Sequence, residues 1–241
     1  MTGHSRWVRK PRPPRPLLLD LYCGAGGAGY GYWLAGFDVI GVDHEPQPDY
    51  PFEFIQADAL AFLRDVIDGW VRPGLQLEDF AAIHASPPCQ FATVYRNNKA
   101  HVKQDHPNLI PPTRALLKES GLPYVIENVY GARAHLESPV MYCGTSFGIE
   151  VRRHRMFESS VALPEVPCDH GRFTERKYPG SSNRPNGRTV CNIGEYRVPL
   201  KVQQAAIGID WMTLKEIAQA IPPAMTEFIG MSLMSALEGK G

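Results

Sequence analysis

The sequence predicts an open α/β fold of Rossmann-like type, and three observations carry that expectation. An apolar run, Leu17 to Tyr22, passes directly into a glycine-rich stretch, Cys23 to Gly31, which reads as strand, loop and start of a helix. A second apolar run, Phe37 to Val42, ends at Asp43, about 20 residues after the first glycine, the spacing of a carboxylate that binds ribose hydroxyls. Two further short apolar runs, Phe80 to Ala85 and Pro123 to Ile126, each deliver a reactive residue just beyond their ends, Cys89 in one case and Glu127 in the other. Ligands of open α/β sheets bind at the carboxyl ends of the strands.

The chain has 241 residues, enough for one domain with a proper core. Its 25 basic and 25 acidic residues give a formal charge of +0, so polyanion binding cannot rest on the whole molecule and must come from local clusters. The 5 cysteines are odd in number and scattered, which fits a reducing compartment better than a disulfide framework. With no signal peptide and no long apolar run, the chain is expected to be soluble and cytoplasmic.

Residues 1–16 carry five basic side chains, no acid and four prolines, the composition of a disordered basic arm. Glycines between the first strand and its helix let a ligand approach the backbone closely, facing the helix amides. A third short strand, Phe52 to Ala57, ends at Asp58, which suits either a helix cap or a ligand contact. Ala59 to Trp70 has helical periodicity. Pro87 and Pro88 stiffen the loop before Cys89, because each fixes φ and lacks an amide hydrogen. On that loop alone a nucleophile and a small buried hydrophobe remain equally open readings.

The run Phe91 to Asp105 is polar and cationic, with Arg96 and Lys99 beside the candidate nucleophile, and reads as a mobile loop able to close over a substrate. Thr113 to Ser120 reads as a helix. Val151 to Glu158 reads as part of a final strand pair with Arg153 and Arg155 on one face. From Glu158 to Val198 periodicity fades, and Arg172, Arg176, Lys177, Arg184 and Arg188 alternate with Phe173 and Tyr178, as a nucleic-acid contact requires. Cys168, His170 and Cys191 hint at a metal, but their spacing matches no familiar zinc pattern, so none is expected. Val202 to Trp211 and Thr213 to Ala220 read as helical pieces, and Pro222 and Pro223 suit the first turn of a closing helix.

Taken in order, Asp20 to Gly27, Ser86 to Gln90, Glu127 to Val129, Arg152 to Arg155, Gly208 to Trp211 and Ile221 to Pro223 resemble the DNA (cytosine-5) methyltransferases of the compact bacterial and phage kind. The resemblance spans nearly all of Leu17 to Leu237. It implies a class I S-adenosylmethionine-dependent methyltransferase fold, a mixed sheet with helices on both faces, plus a small irregular target-recognition region. The implied division is a basic arm at 1–16, a catalytic and cofactor domain at 17–157, the recognition region at 158–198 and C-terminal helices at 199–241.

The resemblance further implies that Cys89 is the thiolate that attacks cytosine and Glu127 the group that hydrogen-bonds its ring. Arg153 and Arg155 would lie near the target base. Tyr22, Gly24, Ala25, Gly26 and Gly27 would wrap the methionine part of S-adenosyl-L-methionine, with Asp43 on the ribose, His44 and Asp58 on the adenine, and Pro88 near the methyl group. Gln90, Arg96, Lys99 and the cationic residues from Arg172 to Arg188 would contact double-stranded DNA, from which the base is flipped. A monomer without an obligate protein partner is expected, of the restriction-modification or phage type. Two departures stand out: the family's GlyAsn pair is replaced by Ala218 and Gln219, leaving the role of Gln219 open, and the recognition region is small, which implies a short or degenerate site. The alternatives are an RNA cytosine-5 methyltransferase, a non-catalytic DNA-binding protein on the same fold, or transfer of another one-carbon group.

Overall fold

A computed structural model describes residues 14–70, 75–92, 106–170, 173–175, 188–191 and 193–239. Seven strands form one sheet in the order β3-β2-β1-β4-β5-β7-β6. They are β1 (Leu17–Leu21), β2 (Asp38–Asp43), β3 (Glu53–Gln56), β4 (Phe80–Ala85), β5 (Tyr124–Asn128), β6 (Val140–Cys143) and β7 (His154–Ser159). The first five run parallel, β7 is antiparallel to β5, and β6 pairs antiparallel with β7. The chain reverses its direction of winding between β1 and β4, so the crevice for a ligand lies beyond their carboxyl ends. Those ends lead into the glycine loop and the Cys89 loop.

Period-2 alternation along the strands builds two cores. Leu19, Leu21, Ile40, Val42, Ile83 and Ile126 face the helices α2 (Ala59–Asp68) and α3 (Ile110–Ser120), where Leu63 and Leu117 are fully buried. Leu18, Val39, Ala82, Val125 and Phe157 face α1 (Gly27–Ala35) and α6 (Pro223–Glu238), meeting Tyr32, Met225, Ile229 and Leu233. A third cluster joins α4 (Leu200–Ile207) and α5 (Leu214–Gln219) to Ala25 of the glycine loop.

Several boundaries differ from the expectations. Glu127 and Asn128 lie inside β5 rather than after it, because the ladder with β7 continues to Asn128 opposite Met156. Helix α2 stops at Asp68, where Gly69 takes a left-handed conformation. Trp211 falls outside any helix. Strand β6 was not anticipated, nor was the parallel pair β8 (Phe173–Glu175) and β9 (Arg188–Val190), which gives the segment expected to be irregular some regular backbone. Arg15, assigned to the disordered arm, is docked: its guanidinium donates to the carbonyls of Trp33 and Gly36 at the negative end of α1 and lies 5.2 Å from the Trp33 ring centre. Arg6, Arg9, Lys10 and Arg12 lie outside the described residues.

The packing of α1 on α6 explains why its sequence is so rich in glycine. A Cβ on Gly31 would strike Thr226 and the Pro223 carbonyl, and one on Gly230 would come within 2.5 Å of the Ala35 side chain. Next to this contact, Asp20 is completely buried; burial, opposed by a hydrogen bond from Tyr50, raises its carboxyl from 3.8 to about 8. Folding therefore takes up a proton over that interval, so the group's contribution to stability is full below the unfolded value and is lost as pH rises towards about 8. Between about pH 5 and about pH 7 the wild type is expected to lose up to about 1.4 kcal/mol per pH unit relative to Asp20→Asn. Urea denaturation of both proteins across that range checks this, and parallel pH dependences would refute it.

Candidate active site

Two loops meet at the switch point. In the first, Tyr22, Gly24 and Gly26 all have positive φ, at 57°, 49° and 88°. Glycine adopts this region freely, and no protein atom lies within 4 Å of where a Gly24 Cβ would stand, leaving open space beside the loop. Tyr22 adopts it at a cost that its hydroxyl contact to Thr113 Oγ1, 3.0 Å, helps offset. Gly27 has a different reason to lack a side chain: its Cβ would lie 2.8 Å from the Ile221 carbonyl, so it admits the C-terminal segment. Trp211 Nε1 donates to the Ala25 carbonyl at 2.8 Å, tying that segment to the loop.

Asp43, at the end of β2, accepts from the amides of Gly24 and Glu45, both at 3.0 Å, one on each carboxylate oxygen. Oδ2, which accepts from Gly24 alone, keeps a second lone pair for a ligand hydroxyl. His44 is exposed beside it, 3.1 Å from Asp43. Asp58 caps α2, one carboxylate oxygen accepting from Ala61 N at 2.9 Å, which realises the capping alternative and leaves its other oxygen exposed. Gln219 is exposed at the end of α5. The neighbouring Ala218 has a packing role, since a Gly194 Cβ would come within 2.8 Å of its methyl group.

The second loop carries Cys89, half-buried and reduced, with Pro88 half-buried before it and Gln90 exposed after it. Its position is set from both sides. Ser86 N donates to the Leu21 carbonyl at 3.1 Å, and Asn128 Nδ2 donates to the Pro87 carbonyl at 2.8 Å. Asn128 is buried, and its amide clamps a proline loop that has no N–H of its own to offer at those two positions.

Glu127 is buried next to Asn128, and burial raises its carboxyl above the usual range while Arg155, Ser86 and Arg153 pull it down. Arg155 Nε lies 2.8 Å from Glu127 Oε1 as an ion pair, yet no donor is aligned on that oxygen to complete a hydrogen bond. Behind the carboxylate runs a polar chain: Tyr32 OH and His84 Nδ1 are 2.9 Å apart, and His84 Nε2 and Ser86 Oγ are 2.9 Å apart. Burial lowers His84 to about 3, so the imidazole is neutral. The arrangement that satisfies every group has Tyr32 donating to Nδ1, Nε2–H donating to Ser86, and Ser86 donating to Glu127. None of these three supporting residues was singled out from the sequence, because a buried His inside a strand carries no local signal.

Arg153 departs from its expected place on one strand face with Arg155. Strand β7 begins only at His154, and the Arg153 guanidinium instead donates to the Ala218 carbonyl. Its Nε is enclosed without a partner, and burial lowers the group to about 9, with Glu127 and Cys89 near enough to raise it. Arg155 is thus paired with Glu127, and Arg153 is near enough to Arg155, Glu127 and Cys89 to feel the charge of each. A second strand-end anchor is the fork of Arg114 on Glu158, at 2.7 and 2.6 Å, which pins α3 to β7. Arg96, Lys99, Arg172, Arg176, Lys177 and Arg184 lie outside the described residues. Arg188 is placed only as the first residue of β9.

A prophage-encoded Escherichia coli protein described as a DNA modification methyltransferase superposes with a TM-score of 0.58 at 15% identity, covering 92% of this chain and 99% of its own. A mutant Spodoptera frugiperda DNMT2 aligns at 17% identity with a TM-score of 0.43, over 76% of this chain and 60% of its own. No family model and no curated protein matches the sequence. The strand order, the glycine loop and the first of these likenesses define the fold as that of the class I S-adenosylmethionine-dependent methyltransferases. Among the described residues, no helix is long and apolar enough to cross a membrane.

Proposed function

We propose that the chain transfers a methyl group from S-adenosylmethionine to carbon 5 of cytosine in DNA, as a compact member of the DNA (cytosine-5) methyltransferases. The observation that carries this reading is the meeting of Cys89, Glu127, Arg153 and Arg155 beside a glycine loop at the switch point of this sheet. The residues present suit the cofactor: there is open space at Gly24, Asp43 has acceptor capacity to spare for ribose hydroxyls, and Asp58 keeps a free oxygen for an adenine amine. Tyr22, Ala25, Gly26 and Gly27 line the methionine end, His44 the adenine and Pro88 the methyl group. Gln219, exposed at the end of α5, has the least support. When bound, the cofactor supplies a methyl group made electrophilic by its sulfonium.

Carbon 5 of cytosine is too weak a nucleophile to take that methyl unaided. The Cys89 thiolate adds to ring carbon 6, the electron pair moves towards nitrogen 3, and Glu127 meets the developing charge there with a proton. Carbon 5, now enamine-like, would take the methyl carbon as its bond to the sulfonium breaks, leaving a neutral thioether on the spent cofactor. Loss of the carbon 5 proton to water then expels the Cys89 sulfur as thiolate, nitrogen 3 returns its proton to Glu127, and the aromatic ring is restored. Arg155, held on Glu127, is placed to donate to the pyrimidine carbonyl. Because the reacting carbons are hidden in a duplex, the base must be flipped out, and the loop 91–105 with the cationic recognition segment would hold the DNA.

The small segment after Phe157 offers few base contacts, so the target is a dinucleotide or a tetranucleotide, fixed or degenerate. Bisulfite sequencing of DNA from cells expressing the protein is expected to reveal such a site. A fully defined six-base site would sink the size argument. Transfer of tritiated methyl to tRNA in preference to duplex DNA would overturn the choice of substrate.

A further inference from the structure

Away from the active-site pocket, Cys143, His154, Cys168 and His170 bring one ligand atom each into a cluster in which all four atoms lie within 4.8 Å of one another. We propose that these residues bind a zinc ion that fastens the start of the recognition segment to the edge of the sheet. The sequence reading took Cys168, His170 and Cys191 as a hint of a metal whose spacing fits no familiar zinc pattern, and expected none. Two of those three are in the cluster, and Cys191 is replaced by a pair from the sheet.

The geometry suits the ion. Cys143 and His154 face each other across the β6–β7 ladder, so the hairpin offers two ligands from one rigid cross-strand pair. Cys168 and His170 stand two residues apart in the loop that follows β7. Cys143 Sγ lies 3.5 Å from His170 Nε2, and Cys168 Sγ lies 3.5 Å from His154 Nε2. Tetrahedral zinc with its usual bond lengths to sulfur and nitrogen separates those ligand atoms by about 3.5 to 3.6 Å. The His154 and His170 rings are 5.0 Å apart between centres and inclined at 64°, so they meet edge to face rather than stacked.

The donor set selects the metal. Two thiolates and two imidazoles in a tetrahedral array favour zinc, and two thiolate charges neutralise a divalent ion. The surroundings are those of a supported ligand set: Thr145 Oγ1 donates to Cys143 Sγ at 3.2 Å, as an outer partner that orients a thiolate. The loop is steered in on both sides of Cys143. Tyr142 donates to the Pro164 carbonyl at 2.7 Å and Ser146 donates to the Pro167 carbonyl at 3.0 Å. Among the described residues between β7 and β8 there is little regular structure, and a four-ligand ion would give the chain a fixed point. The inference stands whether or not the chain methylates cytosine.

Full-length protein, expressed without a metal-affinity tag in zinc-supplemented medium and purified without chelators, is expected to carry one zinc per chain by plasma mass spectrometry. Cys168→Ser and His170→Ala are expected to lose it, while Cys191→Ser keeps it. Protein stripped of metal and titrated with cobalt(II) should develop the visible bands of a tetrahedral thiolate site, a readout that needs no variant to fold. Chelation should also expose the chain between Ser159 and Phe173 to limited proteolysis. Wild-type protein that holds no zinc and yields no such cobalt spectrum would overturn the proposal. So would metal retained in both ligand variants, or a Cys143–Cys168 disulfide in freshly purified protein.

Discussion

Cys89→Ser is expected to abolish methyl transfer, a loss of about 10⁴-fold or more, equivalent to about 5 kcal/mol of transition-state stabilisation. The hydroxyl is far less acidic than the thiol. His84 is not available as a base for a serine, since it is buried, neutral and already bonded at both ring nitrogens. The substitution leaves the glycine loop and Asp43 untouched, so S-adenosylmethionine should bind with unchanged affinity. The measurements are tritiated-methyl incorporation into duplex DNA and calorimetric titration of the cofactor. A duplex carrying 5-fluorocytosine adds a chemical check, because carbon 5 then has no proton to lose and the sulfur cannot be expelled. The wild type should form a gel-stable adduct with it and the serine variant none. Methylation persisting in Cys89→Ser would refute the nucleophile assignment.

What the sequence made legible were features encoded within a few consecutive residues. An apolar run followed by a glycine loop or a proline loop fixes both a strand and the place where its end presents chemistry, and β1, β2 and β4 follow that rule. Asp58 illustrates the limit: cap and ligand roles share the same residue type at the same position, and only the bond to Ala61 N shows that the cap is made. Arg153 illustrates another. Two residues of separation put it on a face with Arg155 only if both lie in a strand, and β7 begins one residue too late.

The grouping of Cys143, His154, Cys168 and His170 was illegible for a stronger reason. Its residues come from β6, β7 and a loop, and β6 is a four-residue edge strand whose run is too short to announce itself. The antiparallel ladder brings Cys143 opposite His154, a pairing that the linear sequence does not announce. The polar chain behind Glu127 was hidden in the same way. Tyr32, His84 and Ser86 meet because β4 passes under α1, a tertiary fact without a local pattern.

That chain bears directly on the second large expected effect, Glu127→Gln. Ring nitrogen 3 of cytosine is an acceptor, so a group that helps it must bring a proton, and burial raises Glu127 in the direction that keeps a proton available nearer neutrality. Glutamine can offer an N–H to nitrogen 3 but cannot transfer the proton as the sulfur adds. The turnover rate is therefore expected to fall by about 10²- to 10⁴-fold, with a smaller change in DNA affinity. The sign of the pH dependence follows from the raised carboxyl. The protonated form is lost as pH rises, so wild-type turnover should decline on the alkaline side as Glu127 ionises, and the residual activity of Glu127→Gln should lack that limb. Single-turnover rates across the pH range, together with adduct formation on the 5-fluorocytosine duplex, measure both. If Glu127→Gln kept the wild-type rate, or kept the alkaline decline, the proton would have to come from elsewhere. Arg155 would then be holding a carboxylate that serves only to bind the exocyclic amine.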